Sequence, residues 1–218
     1  MHARAVQETI FDALVAARDT YGDKPILEDL DRNPLTYTGL IRAAMVLGRK
    51  IAAMTEPGER VAILLPSSSG VVVTFYGLHA MGRVPVMLNF TSGEMNLKAA
   101  IKASGVNRIL SAKRFVTQAK LEALTESLAE VAEIIWLDDI RKTIGLPDKL
   151  FGLMAGFFPK QFRVETQPSD PGVILFTSGS FGSPKGVMLS QSNLVSNVRQ
   201  VATHIDLDPD WVMFNPLP

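Results

Sequence analysis

The 218-residue sequence contains no cysteine, which excludes disulfide bonds, zinc–thiolate sites and cysteine nucleophiles. Neither charge is in excess, because 22 basic residues balance 22 acidic ones, whereas a dedicated nucleic-acid binder normally has a basic surplus. No run of about 18 apolar residues occurs, so no membrane-spanning helix is predicted. The N-terminal residues carry Glu8, Asp12 and Asp19 without a long apolar stretch, unlike a signal peptide. We expect a globular cytoplasmic protein that does not bind nucleic acid.

Apolar strands and helical patterns alternate through the middle of the sequence. Short apolar runs predict strands at residues 60–65, 84–88, 108–111 and 133–137. The segments between them predict helices at residues 67–82, 93–104 and 115–128. Strands and helices that alternate at this spacing form βαβ units, in which helices cover a parallel sheet. The predicted fold class is therefore α/β, with a mostly parallel sheet flanked by helices on both faces.

Further elements are predicted towards both ends of the sequence. Residues 3–18 have the apolar stripe of an amphipathic helix, and a second helix is expected to end near Met54. Ser190 or Ser192 is the expected N-cap of a late helix. Residues 211–214 are apolar or aromatic and are expected to form a strand.

A loop rich in hydroxyl groups and glycine follows the predicted buried strand of residues 173–176. Glycine lets main-chain N–H groups approach phosphate oxygens closely, and Lys185 adds a mobile positive charge. The loop is not a Walker P-loop, because Pro184 stands where that motif requires glycine. It is not a dinucleotide fingerprint either, since no glycine lies two residues before Gly179. The sequence predicts a polyphosphate-binding loop that joins two strands, the alternative being a surface hairpin without a ligand.

This loop resembles the phosphate loop of the AMP-forming adenylating enzymes, a superfamily that includes acyl-CoA synthetases, peptide-synthetase adenylation domains and luciferases. The family pattern is an aromatic residue followed by Thr/Ser-Ser-Gly-Ser/Thr-Thr-Gly-x-Pro-Lys-Gly-Val. The matching residues are Phe176, Thr177, Ser178, Gly179, Ser180, Gly182, Pro184, Lys185, Gly186 and Val187. Phe181 departs from the pattern, because the family usually has threonine there. That departure removes one hydroxyl that could contact ATP or its metal.

The resemblance implies ATP and Mg²⁺ as cofactors. It assigns the ATP phosphates to six residues of the loop: Thr177, Ser178, Gly179, Ser180, Gly182 and Lys185. In such enzymes a carboxylate attacks the α-phosphate of ATP, which gives an acyl-adenylate and pyrophosphate, and a thiol then takes the acyl group. Lys185 is suited to neutralising the leaving pyrophosphate. No cluster of protein metal ligands is predicted.

A second passage narrows the resemblance. Residues 85–93 look like the corresponding part of bacterial acyl-[acyl-carrier-protein] synthetases, which are often fused to a 2-acylglycerophosphoethanolamine acyltransferase. The implied substrate is a long-chain fatty acid, and the implied acceptor is acyl carrier protein or coenzyme A. An amino-acid-adenylating domain is one alternative, and a non-enzymatic interaction module derived from the family is another.

The resemblance covers nearly the whole sequence but only the first part of a longer enzyme. Family members carry a Tyr-Gly-x-Thr-Glu type motif, a ribose-binding aspartate and a C-terminal domain with a catalytic lysine, and these motifs do not occur here. We therefore expect residues 1–218 to be the N-terminal part of the large AMP-binding domain, with the small C-terminal domain absent. Alone, this part is expected to be inactive.

An apolar helical stripe lies between Arg141 and Arg163, with Lys149 and Lys160 at its ends. The stripe consists of Leu150, Phe151, Leu153, Met154, Phe157 and Phe158. One interpretation is an interfacial helix that makes peripheral contact with a membrane. The other is an ordinary packed helix or a contact with a partner, and this one is favoured because most such stripes belong to the core.

Other candidate catalytic residues have ordinary structural explanations. His79 lies within an apolar helical pattern, so it is predicted to be a core residue rather than a base. His204 is expected near a helix end, where it favours the helix dipole. Asp138 and Asp139 follow a predicted strand, where a turn commonly holds such residues.

Overall fold

The computed structural model describes residues 7–29, 32–177, 184–205, 208 and 211–215. These residues form a six-stranded sheet with helices on both faces, together with a separate two-stranded sheet near the N-terminus. The predicted α/β class is confirmed.

The elements are as follows in chain order. The strands are β1 (Pro25–Leu27), β2 (Leu35–Thr36), β3 (Arg60–Ile63), β4 (Val84–Met87), β5 (Arg108–Ser111), β6 (Glu133–Trp136), β7 (Pro171–Thr177) and β8 (Lys185–Ser190). The α-helices are α1 (Ile10–Tyr21), α2 (Tyr37–Ala52), α3 (Ser69–Ala80), α4 (Glu94–Ser104), α5 (Lys113–Gln118), α6 (Glu122–Ala129), α7 (Leu137–Lys142), α8 (Leu146–Phe157), α9 (Pro159–Phe162) and α10 (Gln191–His204). A 3₁₀ turn covers Phe90–Ser92.

The large sheet has the strand order β6-β5-β3-β4-β7-β8. Strands β3 to β7 pair in parallel, and β8 adds an antiparallel edge next to β7. The central strand β3 is buried at Val61, Ala62 and Ile63, because helices cover both of its faces. The apolar runs in the sequence reflect this burial on two sides.

Alternate residues of the strands divide the interior into layers. One face of the sheet packs on α4 and α6 through Leu97, Ile101 and Leu128. The opposite face packs on α3 and α7 through Leu78 and Ile140. On this second side, α2 lies on α3, and α1 and α8 lie on α2 around a further apolar cluster.

Helices α2 and α3 cross at a pair of glycines. A Cβ atom on Gly48 would lie 2.3 Å from the carbonyl oxygen of Gly77, and one on Gly77 would lie 2.8 Å from the carbonyl oxygen of Ala44. Real Cβ atoms do not approach backbone this closely, so the crossing depends on the absence of side chains at both positions.

A buried arginine caps the C-terminal ends of the same two helices. Arg83 is only 5% exposed, and its guanidinium donates to the carbonyls of Met81, Ala52 and Thr55 and to the Thr55 hydroxyl. Desolvation lowers the pKa of Arg83, and Glu56 and Glu59 oppose the shift. These hydrogen bonds satisfy carbonyls that the helix ends leave without partners.

Two predicted elements are wrong. The helix expected at residues 115–128 is broken into α5 and α6, because Lys120 adopts a left-handed conformation with a φ of 56°. Residues 211–214 do not form a strand: side chains such as Val212 are almost fully exposed, and within the described residues no strand pairs with them. A strand needs hydrogen-bonding partners as well as apolar residues.

The starts of two helices differ from the sequence prediction in detail. Helix α1 begins at Ile10 after the N-cap Thr9, whose hydroxyl accepts from the amide of Asp12 at 3.2 Å, and Met1 to Val6 lie outside the described residues. Ser68 is the N-cap of α3, but its side chain does not cap. The carboxylate of Asp29 accepts instead from the amide of Ser69 at 3.0 Å.

The expectation that the apolar stripe belongs to the core is wrong for most of its residues. Leu150, Leu153, Met154, Phe157 and Phe158 are all exposed on the surface of α8. Phe151 alone among the stripe residues packs into the apolar cluster around α2. The reason is that α8 contacts the protein through its glycine and alanine residues instead.

Candidate phosphate-binding site

The predicted phosphate loop closes a β-hairpin. Strands β7 and β8 pair antiparallel, and Thr177 lies directly opposite Lys185 in the last pair before the loop. The expectation that this loop joins two strands, rather than a strand and a helix, is confirmed. Of the predicted site residues, Ser178, Gly179, Ser180 and Gly182 lie outside the described residues, as does Phe181.

The hairpin loop emerges at the carboxyl edge of the parallel strands. Strand β7 pairs in parallel with β4, with Ile174 opposite Val86, so both strands end at the same edge of the sheet. Ligands of open α/β sheets bind at this edge. Thr177 and Lys185 are both exposed there. Because directly opposed residues of an antiparallel pair project to the same face, the hydroxyl and the ammonium lie on one side of the hairpin.

The aromatic residue that opens the motif supports the glycine that ends it. Phe176 pairs with Gly186 across the hairpin, and a Cβ atom on Gly186 would lie 3.1 Å from the Phe176 ring. The half-buried ring also packs on the apolar cluster beneath β4 and α4. Phe176 therefore holds the second strand of the hairpin against the sheet, next to Lys185.

The other end of the hairpin is anchored by the start of α10. Ser190 is the N-cap, as predicted: its hydroxyl accepts from the amide of Asn193 at 3.1 Å, and the Asn193 side chain accepts from the amide of Ser190 at 3.0 Å. Gly172 allows close contact here, because a Cβ atom would lie 2.9 Å from the amide nitrogen of Gln191. Strand β7 and α10 are thus fixed together at this end.

One supporting residue is missed by the sequence analysis. Gln191 is 3% exposed, and its side-chain oxygen accepts from the amide of Ile10 at 3.1 Å. Its side-chain nitrogen donates to the hydroxyl of Thr166 at 3.0 Å. Gln191 therefore joins α10 to the start of α1 and to the segment before β7. No local pattern marks a buried glutamine, since its partners lie far away in the sequence.

The two histidines discussed above are structural. His79 is 4% exposed beside the ring of Phe75, and burial lowers its pKa to about 3, although the Gly172 main chain opposes the shift. Its Nε2 atom has no hydrogen-bond partner among the described residues. His204 lies in the last turn of α10, with its Nδ1 atom 2.8 Å from the carbonyl oxygen of Gln200. A buried, neutral imidazole does not act as a base on an external substrate.

The paired aspartates lie in the first turn of α7 rather than in the expected turn, because the chain enters a helix directly after β6, and they join α7 to α5. The carboxylate of Asp138 accepts from the amide of Lys113 at 2.6 Å, at the start of α5. Asp139 forms ion pairs with Lys113 at 2.6 Å and Lys142 at 3.0 Å, and these hydrogen bonds lower its pKa. In the part of the chain that the structure describes, no three His, Asp or Glu side chains come together as metal ligands.

The fold is similar to that of solved adenylate-forming enzymes. The structure of VinN with 3-methylaspartate matches 94% of this chain and 54% of its own length, with a TM-score of 0.76 and 21% identity. MenE of Bacillus subtilis, in complex with its acyl-adenylate, matches 94% of this chain and 48% of its own, with a TM-score of 0.72 and 18% identity. At these identities the likeness concerns the fold.

Relatives in sequence and a matching family model identify the family of this chain. The chain is 31% identical over its whole length to a sulfoacetate–CoA ligase of Cupriavidus necator, of which it covers 42%. It is 32% identical over 81% of its length to a feruloyl-CoA synthase of an Amycolatopsis species, of which it covers 32%. The chain therefore spans less than half the length of these relatives. A sequence model of the AMP-binding enzyme family matches residues 14–218. This chain belongs to the AMP-binding enzyme family.

Proposed function

We propose that the chain is the first part of the large domain of an ATP-dependent, AMP-forming acid–thiol ligase. The observation that carries this proposal is the hairpin, in which Thr177 and Lys185 face each other at the mouth of the motif loop, on the carboxyl edge of the sheet. The relatives named as CoA ligases support an acid substrate and a thiol acceptor in general terms. Because the chain spans less than half of these relatives, we expect it to need further residues for catalysis.

The loop residues would bind the β- and γ-phosphates of ATP. The hydroxyls of Thr177, Ser178 and Ser180 and the main-chain N–H groups near Gly179 and Gly182 are the donors that such oxygens need. Lys185 would stabilise the pyrophosphate as it leaves, while the carboxylate oxygen of the acid bonds to the α-phosphorus. Thr177 and Lys185 are held by strands at the sheet edge, and donors that are positioned in advance lower the barrier for charge that develops on the leaving group.

Mg²⁺ fits this donor set as an ion held mainly by the nucleotide. It prefers oxygen ligands and is usually bound through a few protein oxygens together with substrate phosphates. The loop offers hydroxyl oxygens as ligands, Thr177 among them. Lys185 would supply a positive charge to the phosphates in addition to that of the ion. When bound, the ion would neutralise charge on the phosphates.

For the substrate we propose a long-chain fatty acid, with acyl carrier protein or coenzyme A as the acceptor, in a cytoplasmic enzyme. The support is residues 85–93, which resemble acyl-carrier-protein synthetases and lie beside the hairpin. They include the end of β4 and the turn Phe90–Ser92, where Phe90 packs edge to face on Phe115 at 5.2 Å. An amino-acid-adenylating domain is the second candidate, because the motif of residues 176–187 also resembles the loop of peptide-synthetase adenylation domains.

Carboxylate-dependent exchange of pyrophosphate into ATP tests the proposal on the whole protein. Palmitate, ferulate and aspartate as the added acids would distinguish a fatty-acid, an aryl-acid and an amino-acid enzyme. We expect Lys185→Ala and Ser178→Ala to slow exchange about 100-fold or more, the usual cost of removing a donor to transition-state charge. Lys102→Ala, at an exposed position on α4, is the matched control and should exchange at the unmodified rate.

Two results would overturn the proposal. A folded whole protein that exchanges pyrophosphate with none of the acids would favour a non-enzymatic interaction module. If Lys185→Ala exchanges pyrophosphate at the unmodified rate, the hairpin has no role in the reaction. Binding of ATP to the 218-residue chain, weakened in Lys185→Ala but not in Lys102→Ala, would support the phosphate site independently of turnover.

A further inference from the structure

Helix α8 reverses the usual arrangement of an amphipathic helix. Its buried residues are Gly152, Ala155 and Gly156, which face α2. Its large apolar residues other than Phe151 face outwards instead. A surface helix normally buries its large apolar side chains and exposes polar ones. The apolar face of α8 therefore plays no part in packing the helix onto the protein.

The small residues of α8 are needed for its close seating on α2. A Cβ atom on Gly152 would lie 2.6 Å from Cγ2 of Val46, and one on Gly156 would lie 2.5 Å from Nε of Arg42. Arg18 donates to the carbonyl of Gly156 at 2.7 Å and fixes the end of the helix. Two glycines inside a helix lower its intrinsic stability. The close contact with α2 that they allow offsets this loss of stability. The orientation of α8 is set by these contacts, which turn its other face to the outside.

The outward face is continuous along the helix. Side chains four, seven, eight and eleven residues apart lie on one side of an α-helix. Their exposed fractions are 70% for Leu146, 54% for Leu150, 44% for Leu153, 53% for Met154, 63% for Phe157 and 57% for the adjoining Phe158. Such a contiguous exposed apolar patch marks an interaction surface.

The patch has positively charged surroundings. Residues 141–163 contain five basic residues and one acidic residue, in a chain whose net charge is zero. Two of the five are neutralised by carboxylates outside this segment, Lys142 by Asp139 and Arg163 by Asp12, both at 3.0 Å. The acidic one, Asp148, is neutralised by Lys50 at 2.8 Å. Lys149 and Lys160 are exposed and form no ion pair with any residue that the structure describes. The guanidinium of Arg42 lies over the ring of Phe157 at 5.4 Å from its centre.

We propose that the outward face of α8 is a peripheral binding surface for an anionic lipid bilayer. Leucine and phenylalanine side chains would enter the boundary between headgroups and acyl chains, while Lys149 and Lys160 would contact lipid phosphates. Charge complementarity favours this occupant over a second copy of the chain, since two copies would bring like charges together. The position of α8 also suits membrane contact, because the helix lies in the outer layer on its side of the sheet. Helix α3 covers the sheet, α2 covers α3, and α8 covers α2.

The geometry requires that α8 lies along the membrane surface. The helix has 12 residues, a length of about 18 Å at 1.5 Å per residue, whereas the hydrocarbon core is about 30 Å thick. Among the described residues, no helix combines the length and the apolar composition needed to cross a bilayer. This surface is separate from the hairpin, so the proposal does not depend on the proposed ligase reaction.

Co-sedimentation with lipid vesicles tests the proposal on the purified chain. One set of vesicles contains equal parts of phosphatidylglycerol and phosphatidylcholine, and the other contains phosphatidylcholine alone. We expect binding to the anionic vesicles that weakens as salt is added, because exposed charges are screened. Replacing Phe157 with tryptophan should preserve binding. On anionic vesicles its emission should shift to shorter wavelength by more than that of the unmodified chain, which already contains Trp136 and Trp211.

Two double variants separate the apolar from the charged contribution. Leu153→Ser with Phe157→Ser should weaken binding about tenfold or more, because two apolar side chains no longer enter the bilayer. Lys149→Gln with Lys160→Gln should weaken it about 25-fold at low salt, at roughly fivefold for each lysine. The matched control is Met95→Ser, which removes an 83% exposed apolar residue from α4, on the opposite face of the sheet. It should bind like the unmodified chain.

Other outcomes would overturn the proposal. Equal binding to both vesicle types would refute the role of anionic lipid and of the lysines. Binding that neither double variant weakens would remove α8 from any lipid contact. Self-association at rising protein concentration, lost in the Leu153→Ser and Phe157→Ser variant, would assign the face to a second copy of the chain. Circular dichroism checks that each variant is folded, and its exposed positions make loss of folding an unexpected result.

Discussion

Replacing Gly48 with alanine tests how α2 and α3 are held together. The new Cβ atom would lie 2.3 Å from the carbonyl oxygen of Gly77 and 2.9 Å from its carbonyl carbon. Non-bonded carbon atoms pack at about 3.5–4.0 Å, so the two helices must move apart by about 1 Å. Backbone atoms within two helices cannot turn aside as a flexible side chain can. The separation would loosen fully buried neighbours such as Met45 and Leu78.

The expected magnitude combines two opposing effects. Overpacking in a close-packed interior costs about 1–3 kcal/mol, and a clash with backbone belongs at the upper end of that range. Alanine in a helix interior recovers about 1 kcal/mol relative to glycine. We therefore expect Gly48→Ala to lower the free energy of unfolding by about 2 kcal/mol. Gly77→Ala should act in the same direction with a smaller effect, since its closest contact would be 2.8 Å, to the carbonyl oxygen of Ala44.

Urea unfolding followed by far-UV circular dichroism measures this effect. Gly70→Ala is the matched control, because a Cβ atom at that position in α3 would meet only the Ser68 hydroxyl oxygen, at 3.5 Å. It should be neutral or stabilising by up to about 1 kcal/mol. If Gly48→Ala proves as stable as Gly70→Ala, the argument that the crossing requires glycine is refuted.

Three further substitutions test buried polar groups. Because burial lowers the pKa of His79 to about 3, the unfolded chain binds a proton more tightly between pH 6.5 and about 3, so stability falls as the pH decreases through that range. The histidine contributes about 1.4 kcal/mol per pH unit to the pH dependence of the free energy of unfolding. Urea unfolding at several pH values should show that this contribution is lost in His79→Leu and retained in His204→Gln. Arg83→Met leaves the carbonyls at the ends of α2 and α3 without donors and should cost about 3 kcal/mol in the same assay, whereas an unchanged midpoint would contradict its capping role. Gln191→Ala removes the hydrogen bonds to Ile10 and Thr166 and should cost about 2 kcal/mol, with faster amide exchange at Ile10; unchanged exchange there would contradict the link.

Prediction from sequence succeeded where neighbouring residues decide the structure. The strand at Arg108–Ser111 and the helix that begins after Ser190 appear where the apolar pattern and the capping residue placed them. The prediction that the motif loop joins two strands also followed from residues on either side of it. Roles of the individual loop residues in binding phosphate stay predictions.

Prediction from sequence failed where distant contacts decide it. The apolar residues at 211–214 have a strand-like composition, but a strand exists only when another strand supplies its hydrogen bonds. The stripe on α8 has the pattern of a buried face, yet periodicity cannot say which side of a helix meets the protein. Gly152 and Gly156 decided that, through their fit against Val46 and Arg42.

The sequence by itself determined the α/β class, the alternation of strands and helices, and the motif loop with its single lysine, because each rests on the spacing of residues close together in the chain. Only the tertiary structure decided the strand order, the glycine crossing of α2 and α3, the burial of Gln191 and the outward face of α8. These features arise from contacts between segments far apart in sequence, where steric fit and hydrogen-bond partners are set by the whole fold.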